Sequence, residues 1–454
     1  MKRSLRTALR RLFHQSARAA FGLVPRDLRH ALVRAMIDCD PAPGPALDLK
    51  IADTQEELEA CFALLHDAYV SSGFMQPDPS GLRVTAYHAL PTTTTLCAKI
   101  HGKVVGTLSL VREGVFGFPM QSAFDLSAVR AKQGRIAEVS ALAIHPDYRA
   151  TGGQILFPLM KFMYEYCTSY FDTRHLVIAV NPNKIELYES LLFFERLPGQ
   201  PVAQYGFANG APAIGATLDL AVARERFRAV YGQRPERKNL FRYFVENRLA
   251  NIRLPARRYN TTNDPVMTEE LIEHFFMRRT NVFATLGARR QLLLRSLYEL
   301  DARAGGQSGT VAAPGATLAL RRHPRHSINC PGRLERLAAD GGGSFRIKVV
   351  ELSLSGFQAE CAAPLAPGVS GLLTVELGAE LRSVVRATAV RRIAGAQATY
   401  LGFRIDTPDA AWAACVSALQ SGRTHAELQA EPLDLELPQA PALPLVQPAA
   451  ACLI

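Results

Sequence analysis

A glycine pair directly before a long apolar stretch is the first feature of the sequence that indicates chemistry. Gly152 and Gly153 follow Arg149 and precede the apolar and aromatic residues 155–171. Glycines let backbone N–H groups approach a phosphate closely, and the amino end of a helix attracts an anion through its dipole. The spacing therefore indicates a site for a phosphate-bearing molecule. A glycine pair alone is equally compatible with an ordinary turn that starts a helix.

The elements around this loop alternate between helix and strand over residues 47–220, which is typical of a mixed α/β sheet. A tight turn at 101–102 is predicted to join two of the strands. The predicted helices span 56–70, 155–171 and 184–193, and the predicted strands span 95–100, 103–111, 136–144 and 175–180.

The rest of the chain divides by composition. Short apolar runs separated by turn residues predict a small antiparallel barrel, with strands at 346–350, 371–377, 383–390 and 400–405. The predicted parts are a basic amphipathic segment at 1–46, the α/β domain at 47–220, a helical extension at 221–303, a linker at 304–316, the barrel at 317–424 and a disordered tail at 425–454. The helical extension either closes over a substrate or joins the domains.

The net charge of +11 is compatible with nucleic acid, anionic lipid or an acidic protein as partner. Basic and apolar residues alternate over 1–38, so this segment either lies on a membrane surface or packs on its own protein. Nucleic acid is disfavoured because arginines are not interleaved with aromatic residues on one strand. The location expected is the cytoplasm, with peripheral contact to the inner membrane as a possibility.

The eight cysteines are scattered and form no Cys-x-x-Cys pair, so neither a zinc site nor a disulfide framework is expected. This usage is typical of a reducing cytoplasm. No apolar run reaches the length of about 18 residues that indicates a transmembrane helix.

The loop after residue 144 resembles the acyl-donor-binding motif of the GNAT superfamily, Arg/Gln-x-x-Gly-x-Gly/Ala. Arg149 and Gly152 match, whereas Gln154 stands where a small residue is usual. Residues 180–194 look like the element of that superfamily in which a strand leads into a helix bearing a tyrosine. The resemblance implies that Tyr188 protonates the leaving thiolate. The donor contacts that it implies are Ala143, Arg149, Thr151, Gly152, Gly153, Gln154 and Asn181.

A closer resemblance covers residues 50–200, on the runs 92–111, 117–120 and 134–140. These are similar to long-chain N-acyl amino acid synthases, bacterial GNAT-fold relatives of the acyl-homoserine-lactone synthases. The resemblance implies transfer of a fatty acyl group from acyl carrier protein to the amine of an amino acid. Ala141 stands where that family often has Arg.

The mechanism that we hypothesise from this resemblance is direct aminolysis of a thioester, without a covalent enzyme intermediate. Glu138 accepts a proton from the ammonium group, and backbone N–H groups near Ala143 polarise the carbonyl. Ser140 either orients the substrate or is only a strand residue. No metal or cofactor is expected. Phosphopantetheine on acyl carrier protein, or acyl-coenzyme A, is the substrate.

The donor and the activity each have an alternative. A carrier-protein arm bears one phosphodiester and needs less backbone cradling than coenzyme A, so Gln154 favours the carrier protein. An ordinary acetyl-coenzyme A N-acetyltransferase is the alternative enzyme, and it would be expected to keep a small residue at 154. A non-catalytic cyclic-di-GMP effector with a degenerate GNAT scaffold is the alternative class; Ala141 and Gln154 favour it.

The barrel segment resembles the PilZ domain, whose paired signature is Arg-x-x-x-Arg and Asp/Asn-x-Ser-x-x-Gly. Arginines can fork onto phosphate and stack on purines, and a carboxylate and a hydroxyl can meet guanine edges. The resemblance implies binding of cyclic di-GMP, with Glu351 in place of the usual Asp or Asn. The residues it assigns are Arg321, Arg322, Arg325, Glu351, Ser353 and Gly356.

Overall fold

The computed structural model describes most of the chain between residues 24 and 420. The described ranges are 24–114, 116–132, 134–149, 151–171, 173–255, 267–298, 325–336, 342–363, 365–378, 381–394 and 399–420. Arg321 and Arg322, the predicted linker and the predicted tail therefore lie outside the described residues, as do the first 23 residues of the basic segment.

An eight-stranded mixed sheet forms the first of two units, in the order β1-β2-β3-β4-β5-β8-β6 with β7 paired to β8. Among the strand pairs of the described ranges, β4 and β5 run parallel and the others are antiparallel. Its strands are β1 Leu47–Ile51, β2 Thr93–Ile100, β3 Lys103–Arg112, β4 Arg135–Ile144, β5 Thr173–Val180, β6 Glu195–Arg196, β7 Val202–Tyr205 and β8 Ala211–Asp219. The predicted turn between β2 and β3 has positive φ at both His101 and Gly102, as the tightest hairpins require.

Helices pack on both faces of this sheet. The α-helices are α1 Arg26–Ala35, α2 Gln55–Ser71, α3 Ser127–Arg130, α4 Leu156–Phe171, α5 Pro182–Leu192, α6 Leu220–Tyr231, α7 Glu269–Ile272, α8 Val282–Thr285 and α9 Ala288–Tyr298. The short 3₁₀ helices span Ala86–Ala89, Pro119–Ser122, Pro146–Tyr148, Gly206–Ala208 and Glu236–Lys238, and π-helical turns span Arg242–Glu246 and Glu273–Arg279.

Local sequence explains where the helices around the site begin. Pro158 lies in the first turn of α4, where a missing N–H costs nothing. Asn181 accepts a hydrogen bond from Asn183 N at 3.0 Å and so caps α5, with Pro182 as its first residue. Phe193 ends α5 in the left-handed region with φ of 61°. These two ends fix α5 directly after β5.

Helix α1 belongs to the predicted basic segment and packs on α5. Arg29 pairs with Glu186 at 2.5 Å, and Arg26 pairs with Glu189 at 3.1 Å. The contacts leave Leu28 and Leu32 58% and 52% exposed. The described part of the segment therefore packs on its own protein, and contact with a membrane surface stays a prediction.

The second unit is a closed six-stranded antiparallel barrel in the order β10-β11-β14-β13-β12-β9. Trp412 is fully buried in its core and donates its indole N–H to Ser353 O at 2.9 Å. The strands are β9 His326–Arg336, β10 Ser344–Ser353, β11 Gly356–Glu360, β12 Ser370–Gly378, β13 Leu381–Ala394 and β14 Thr399–Ile405, followed by α10 Ala410–Gln420. The predicted fold class, an α/β domain followed by helices and a small barrel, is confirmed.

Candidate functional site

The two central strands of the sheet separate halfway along their length. β4 and β5 pair in parallel from Arg135 and Thr173 as far as Glu138 and Val177. Beyond that point β4 still pairs with β3, and β5 still pairs with β8. The facing edges of 139–144 and 178–180 therefore have no ladder between them, and a gap opens in the middle of the sheet.

A β-bulge in β4 lies on one side of this gap. Ser140 pairs with Ser109, but Ala143 pairs with Thr107, so β4 has one more residue than β3 between these pairs. Ala141 carries the extra length with φ of 51°. A bulge leaves the inserted residue out of the ladder. The backbone N–H of the inserted residue is thus not committed to β3.

Glu138 is the carboxylate nearest the point where the strands separate. It is 1% exposed, and one oxygen accepts a hydrogen bond from Met120 N at 2.9 Å. Burial raises the pKa of Glu138 from its usual 4.5 to about 8, and the bond from Met120 offsets only part of this rise. The carboxyl is therefore mostly protonated at neutral pH and gains the capacity to act as a base as pH rises through 8.

Tyr188 lies on α5 and lines an apolar cavity of about 60 Å³ beneath the gap. Desolvation raises the pKa of Tyr188 to about 12, so its phenol keeps its proton at any physiological pH. The cavity walls come from β4, β5, β8, α4, α5 with the residue 194 that follows it, α6 and the turn at 244–245. They are Val139, Met160, Met163, Tyr164, Leu176, Ile178, Tyr188, Leu192, Phe194, Leu218, Leu220, Ala223, Arg224, Phe227, Phe244 and Val245.

The two proton-transfer candidates lie on opposite faces of the sheet. Val139 lines the cavity with Tyr188, and successive side chains of a strand point to opposite faces, so Glu138 points the other way. Ser140 shares the face of Glu138, since both are paired in regular register with β3. We call these the Glu138 face and the Val139 face. The gap between β4 and β5 connects them.

The predicted donor loop lies between the end of β4 and the start of α4. Gly152 has φ of 69° with open space where a Cβ would be, and Gly153 has φ of 95° with the Phe157 ring 2.5 Å from that position. Thr151 and Gln154 lie in the same turn. Arg149 donates to Ile144 O at 2.8 Å, which ties the loop back to β4. The loop is thus open to an approaching group at Gly152.

The barrel brings part of the second predicted set together. Arg325 and Glu351 form an ion pair, each with about a third of its side chain exposed. Ser353 is buried and donates to Gly356 O at 3.0 Å. A Cβ on Gly356 would lie 2.4 Å from Phe403 O, so the strand itself requires glycine there. Glu351 and Arg325 are therefore the described members of this set that a ligand can reach.

Comparison with known protein families addresses the α/β unit. Residues 60–219 match the family model described as N-acyl amino acid synthase FeeM. The prediction of an N-acyltransferase domain of this kind is confirmed for that segment. The FeeM match includes the gap, Glu138, Tyr188 and the glycine loop. No curated protein matches the sequence.

Solved structures similar to the chain include acyltransferases and a PilZ domain. FeeM, an N-acyl amino acid synthase from uncultured soil microbes, is 23% identical, with 40% of this chain and 95% of that chain covered and a TM-score of 0.35. The coenzyme A-dependent acyl-homoserine lactone synthase BjaI is 21% identical, covering 40% and 89%, at 0.31. The PilZ domain of YcgR from Escherichia coli with cyclic di-GMP is 20% identical, covering 22% and 87%, at 0.18.

Membrane-spanning helices and metal clusters are both absent from the described ranges. Among the helices of the described ranges, none combines the length and apolar character needed to cross a bilayer. Within the same ranges, no cluster of three or more His, Cys, Asp or Glu side chains is arranged to hold a metal ion.

No motif in the sequence indicates the residues of the cavity's far wall. Ala223, Phe227, Phe244 and Val245 belong to the predicted helical extension and lie against the Val139 face. Their segment was expected either to cover a substrate or to join two domains. With Arg224, five of its side chains line the cavity, which favours the first alternative.

Proposed function

We propose that this chain transfers a long-chain fatty acyl group from acyl carrier protein to the amine of an amino acid, and that its barrel binds cyclic di-GMP. The observation that carries the acyl-transfer proposal is the apolar cavity under the β4–β5 gap. Val139 and Ile178, which directly follow the last paired residues of the two strands, both line it. A thioester in the gap would place its acyl chain against apolar side chains, where burial is favourable.

The proposed reaction uses both faces of the sheet. The acceptor approaches from the Glu138 face, and ionised Glu138 removes a proton from its ammonium group. The neutral amine attacks the thioester carbonyl, whose oxygen is stabilised by N–H groups of the bulge at 141–143. The C–S bond then breaks, and Tyr188 gives its proton to the thiolate. The proton that the nitrogen loses on becoming an amide restores the phenol.

Two features support a carrier protein as donor. The loop at Gly152 is open and its Arg149 is engaged with the backbone of Ile144, so few groups are set to hold a second phosphate. The net charge of +11 suits an acidic partner. An apolar cavity beside the thioester suits a fatty acyl chain better than an acetyl group.

Mass spectrometry of lipids from cells that express the full chain tests the proposed activity. We expect a new series of N-acyl amino acids, whose head group names the acceptor and whose chains show the preferred length. Cells expressing Tyr188→Phe are the control. If the unaltered chain and this control give the same lipids, and the unaltered chain produces acetylated amines, the acetyltransferase alternative is correct.

Filling the cavity should shorten the preferred acyl chain. Met163 lines it from α4 and is buried. The indole ring of Met163→Trp would occupy space used by the distal methylene groups, each worth about 0.8 kcal/mol when buried. We expect at least about a tenfold loss of kcat/KM with long chains and little change with short ones. Met277→Trp, at an exposed position, is the control. Equal losses at every chain length would contradict the assignment of the cavity.

Arg325 supports the proposal that the barrel binds cyclic di-GMP. Its guanidinium already meets the carboxylate of Glu351 at the barrel surface, where an anionic phosphate would compete for it. We expect Arg325→Ala to raise the Kd of the full chain for cyclic di-GMP about 10- to 100-fold, measured by isothermal titration calorimetry. Arg382→Ala removes an exposed arginine that pairs with Glu376 and serves as control. If titration of the unaltered chain with cyclic di-GMP gives no heat, the barrel has only a structural role.

A further inference from the structure

Among the described residues, one buried arginine on the Glu138 face has no carboxylate partner. Arg83 is 6% exposed, and among the described residues its Nε has no hydrogen-bond partner. Its Nη2 donates to Phe207 O at 2.6 Å. Its guanidinium lies over the Tyr69 ring at 4.0 Å and near the Phe207 ring at 5.4 Å. These contacts with a carbonyl and two rings hold the group in place, and none of them supplies a full negative charge.

Other polar groups around Arg83 do not neutralise it. Buried His88 has a pKa lowered to about 3, by desolvation and then by the charge of Arg83, so it is neutral. Burial also lowers the pKa of Arg83 itself. The hydroxyl of Tyr205 is buried and, within the described parts of the chain, has no hydrogen-bond partner either. Two donor groups, the Nε–H of Arg83 and the hydroxyl of Tyr205, are therefore buried in one region without an acceptor among the described residues.

This region adjoins Glu138. Tyr205 packs in the same apolar cluster as Ile136 and Met120. Ile136 lies two residues before Glu138 on β4, and Met120 donates its backbone N–H to the Glu138 carboxylate. The pKa of Tyr205 is raised by burial and next by the negative charge of Glu138, and it is lowered by Arg83. Tyr205 thus lies within electrostatic range of both charged groups, and its ring is 6.0 Å from that of Phe207.

An uncompensated buried charge and an unused buried hydroxyl are both costly, and such groups are concentrated at binding sites. Arginine is the side chain best suited to fork onto a carboxylate. An acceptor amino acid carries its carboxylate one carbon away from the nitrogen that Glu138 must deprotonate. The donor's phosphate is expected at Gly152, beyond the end of β4, and does not need Arg83.

We infer that Arg83, with the hydroxyl of Tyr205, binds the α-carboxylate of the acceptor amino acid while Glu138 receives the proton from its ammonium group. This inference rests on the proposed acyl transfer. It makes Arg83 the residue that restricts the acceptor to amines bearing a neighbouring carboxylate. Tyr205 donates the second hydrogen bond and orients that carboxylate toward Arg83.

The unaltered protein provides a first test that does not depend on folding of a variant. Rates are compared for the preferred amino acid, its methyl ester and the amine that remains after decarboxylation, all with one acyl donor. We expect kcat/KM to fall roughly 100- to 1000-fold for the two analogues, because the buried arginine is left unpaired. Acylation of all three within about threefold would overturn the inference while leaving the proposed transfer intact.

Variants separate recognition from structure. Arg83→Met should raise KM for the amino acid by about 100-fold yet change kcat/KM for the decarboxylated amine less than about threefold. Tyr205→Phe should act in the same direction by about tenfold. Arg226→Met, at an exposed arginine paired with Glu195, is the control. Equal losses for both substrates would assign Arg83 a purely structural role.

Equilibrium binding keeps the inference testable if no acyl transfer is found. Isothermal titration of the unaltered chain with the 20 standard amino acids, and with the matching amines, measures recognition alone. We expect binding of at least one amino acid that Arg83→Met loses. If the chain acylates none of the amines tested, the proposed function is wrong. Binding that survives in Arg83→Met, or absent binding in a folded chain, would remove the assignment of Arg83.

Discussion

Replacing Glu138 with Gln is expected to lower the rate of acyl transfer about 100-fold or more at pH 8, because Gln cannot accept the proton of the ammonium group. The unaltered enzyme should show a rate that rises with pH through about 8, the pKa to which burial raises Glu138. Glu138→Gln should lose that rise. Initial rates between pH 6 and 10, with one acyl donor, measure both effects.

The same substitution should also change how the free energy of unfolding depends on pH. The folded chain keeps the proton of Glu138 between pH 4.5 and about 8, where the unfolded chain has released it. The free energy of unfolding therefore falls as pH rises through this window, by on the order of 5 kcal/mol for this group. Glu138→Gln lacks the fall, so it should be more stable than the unaltered chain above pH 8 and similar to it below pH 4.5.

Glu57 is the matched control for a buried carboxyl. It lies between Lys50 and Lys99, whose charges hold its pKa well below the usual value despite burial. Its stabilising contribution is present above pH 4.5 and is lost as pH falls, which is the opposite sign. Glu57→Gln should destabilise the chain at neutral pH without changing the shape of the rate profile. A Glu138→Gln enzyme with an unaltered rate and profile would show that Glu138 is not the base.

Replacing Tyr188 with Phe is expected to lower kcat about 100-fold with little change in KM. The ring still lines the cavity, so donor binding is kept, but the leaving thiolate no longer receives a proton from the phenol. A donor thioester whose thiol has a low pKa leaves readily as a thiolate. Such a donor should restore most of the lost rate, and stopped-flow detection of the free thiol measures it.

Tyr231→Phe is the control for loss of a buried phenol. Its hydroxyl donates to Leu191 O at 2.9 Å, away from the gap, so the variant should lose about 1 kcal/mol of stability and keep its rate. If Tyr188→Phe is slowed equally with both kinds of donor, the phenol does not protonate the leaving group.

Much of the fold around the site could be predicted because its signals are local. The uninterrupted apolar stretch predicts α4 within one residue of its observed bounds, Leu156–Phe171. Gly152 and Gly153 both have positive φ, as a turn built on glycine is expected to have. The alternation of helix and strand was sufficient to predict a mixed sheet. These features depend on residues close together in the chain.

Features set by distant contacts could not be predicted. β8, Ala211–Asp219, is rich in small residues and has the composition of a loop, and it is a strand because β5 pairs along it. β9, His326–Arg336, contains Pro331 and Gly332 and is missing from the strands predicted for the barrel. The bulge at Ala141 has no local signature, since a non-glycine residue adopts positive φ there only within the β3 pairing.

Arg83 shows the same limit for the site. Nothing in its sequence neighbourhood distinguishes it from a solvent-facing arginine. Its burial follows from the approach of Tyr69 on α2 and Phe207 after β7, more than 100 residues apart in the chain. The sequence motifs indicate the donor loop at Gly152 and the proposed base, Glu138. The proposed acceptor-binding residue, Arg83, could be recognised only from the packing of the folded chain.

The reaction of the purified full chain with an acyl carrier protein thioester and an amino acid tests the central claim most directly. Free thiol and acylated product are followed together, by a thiol reagent and by mass spectrometry. The account predicts that each thiol released is matched by one amide-linked N-acyl amino acid. A thioester that stays intact, or thiol release matched only by free fatty acid, would contradict transfer to an amine in the gap between β4 and β5.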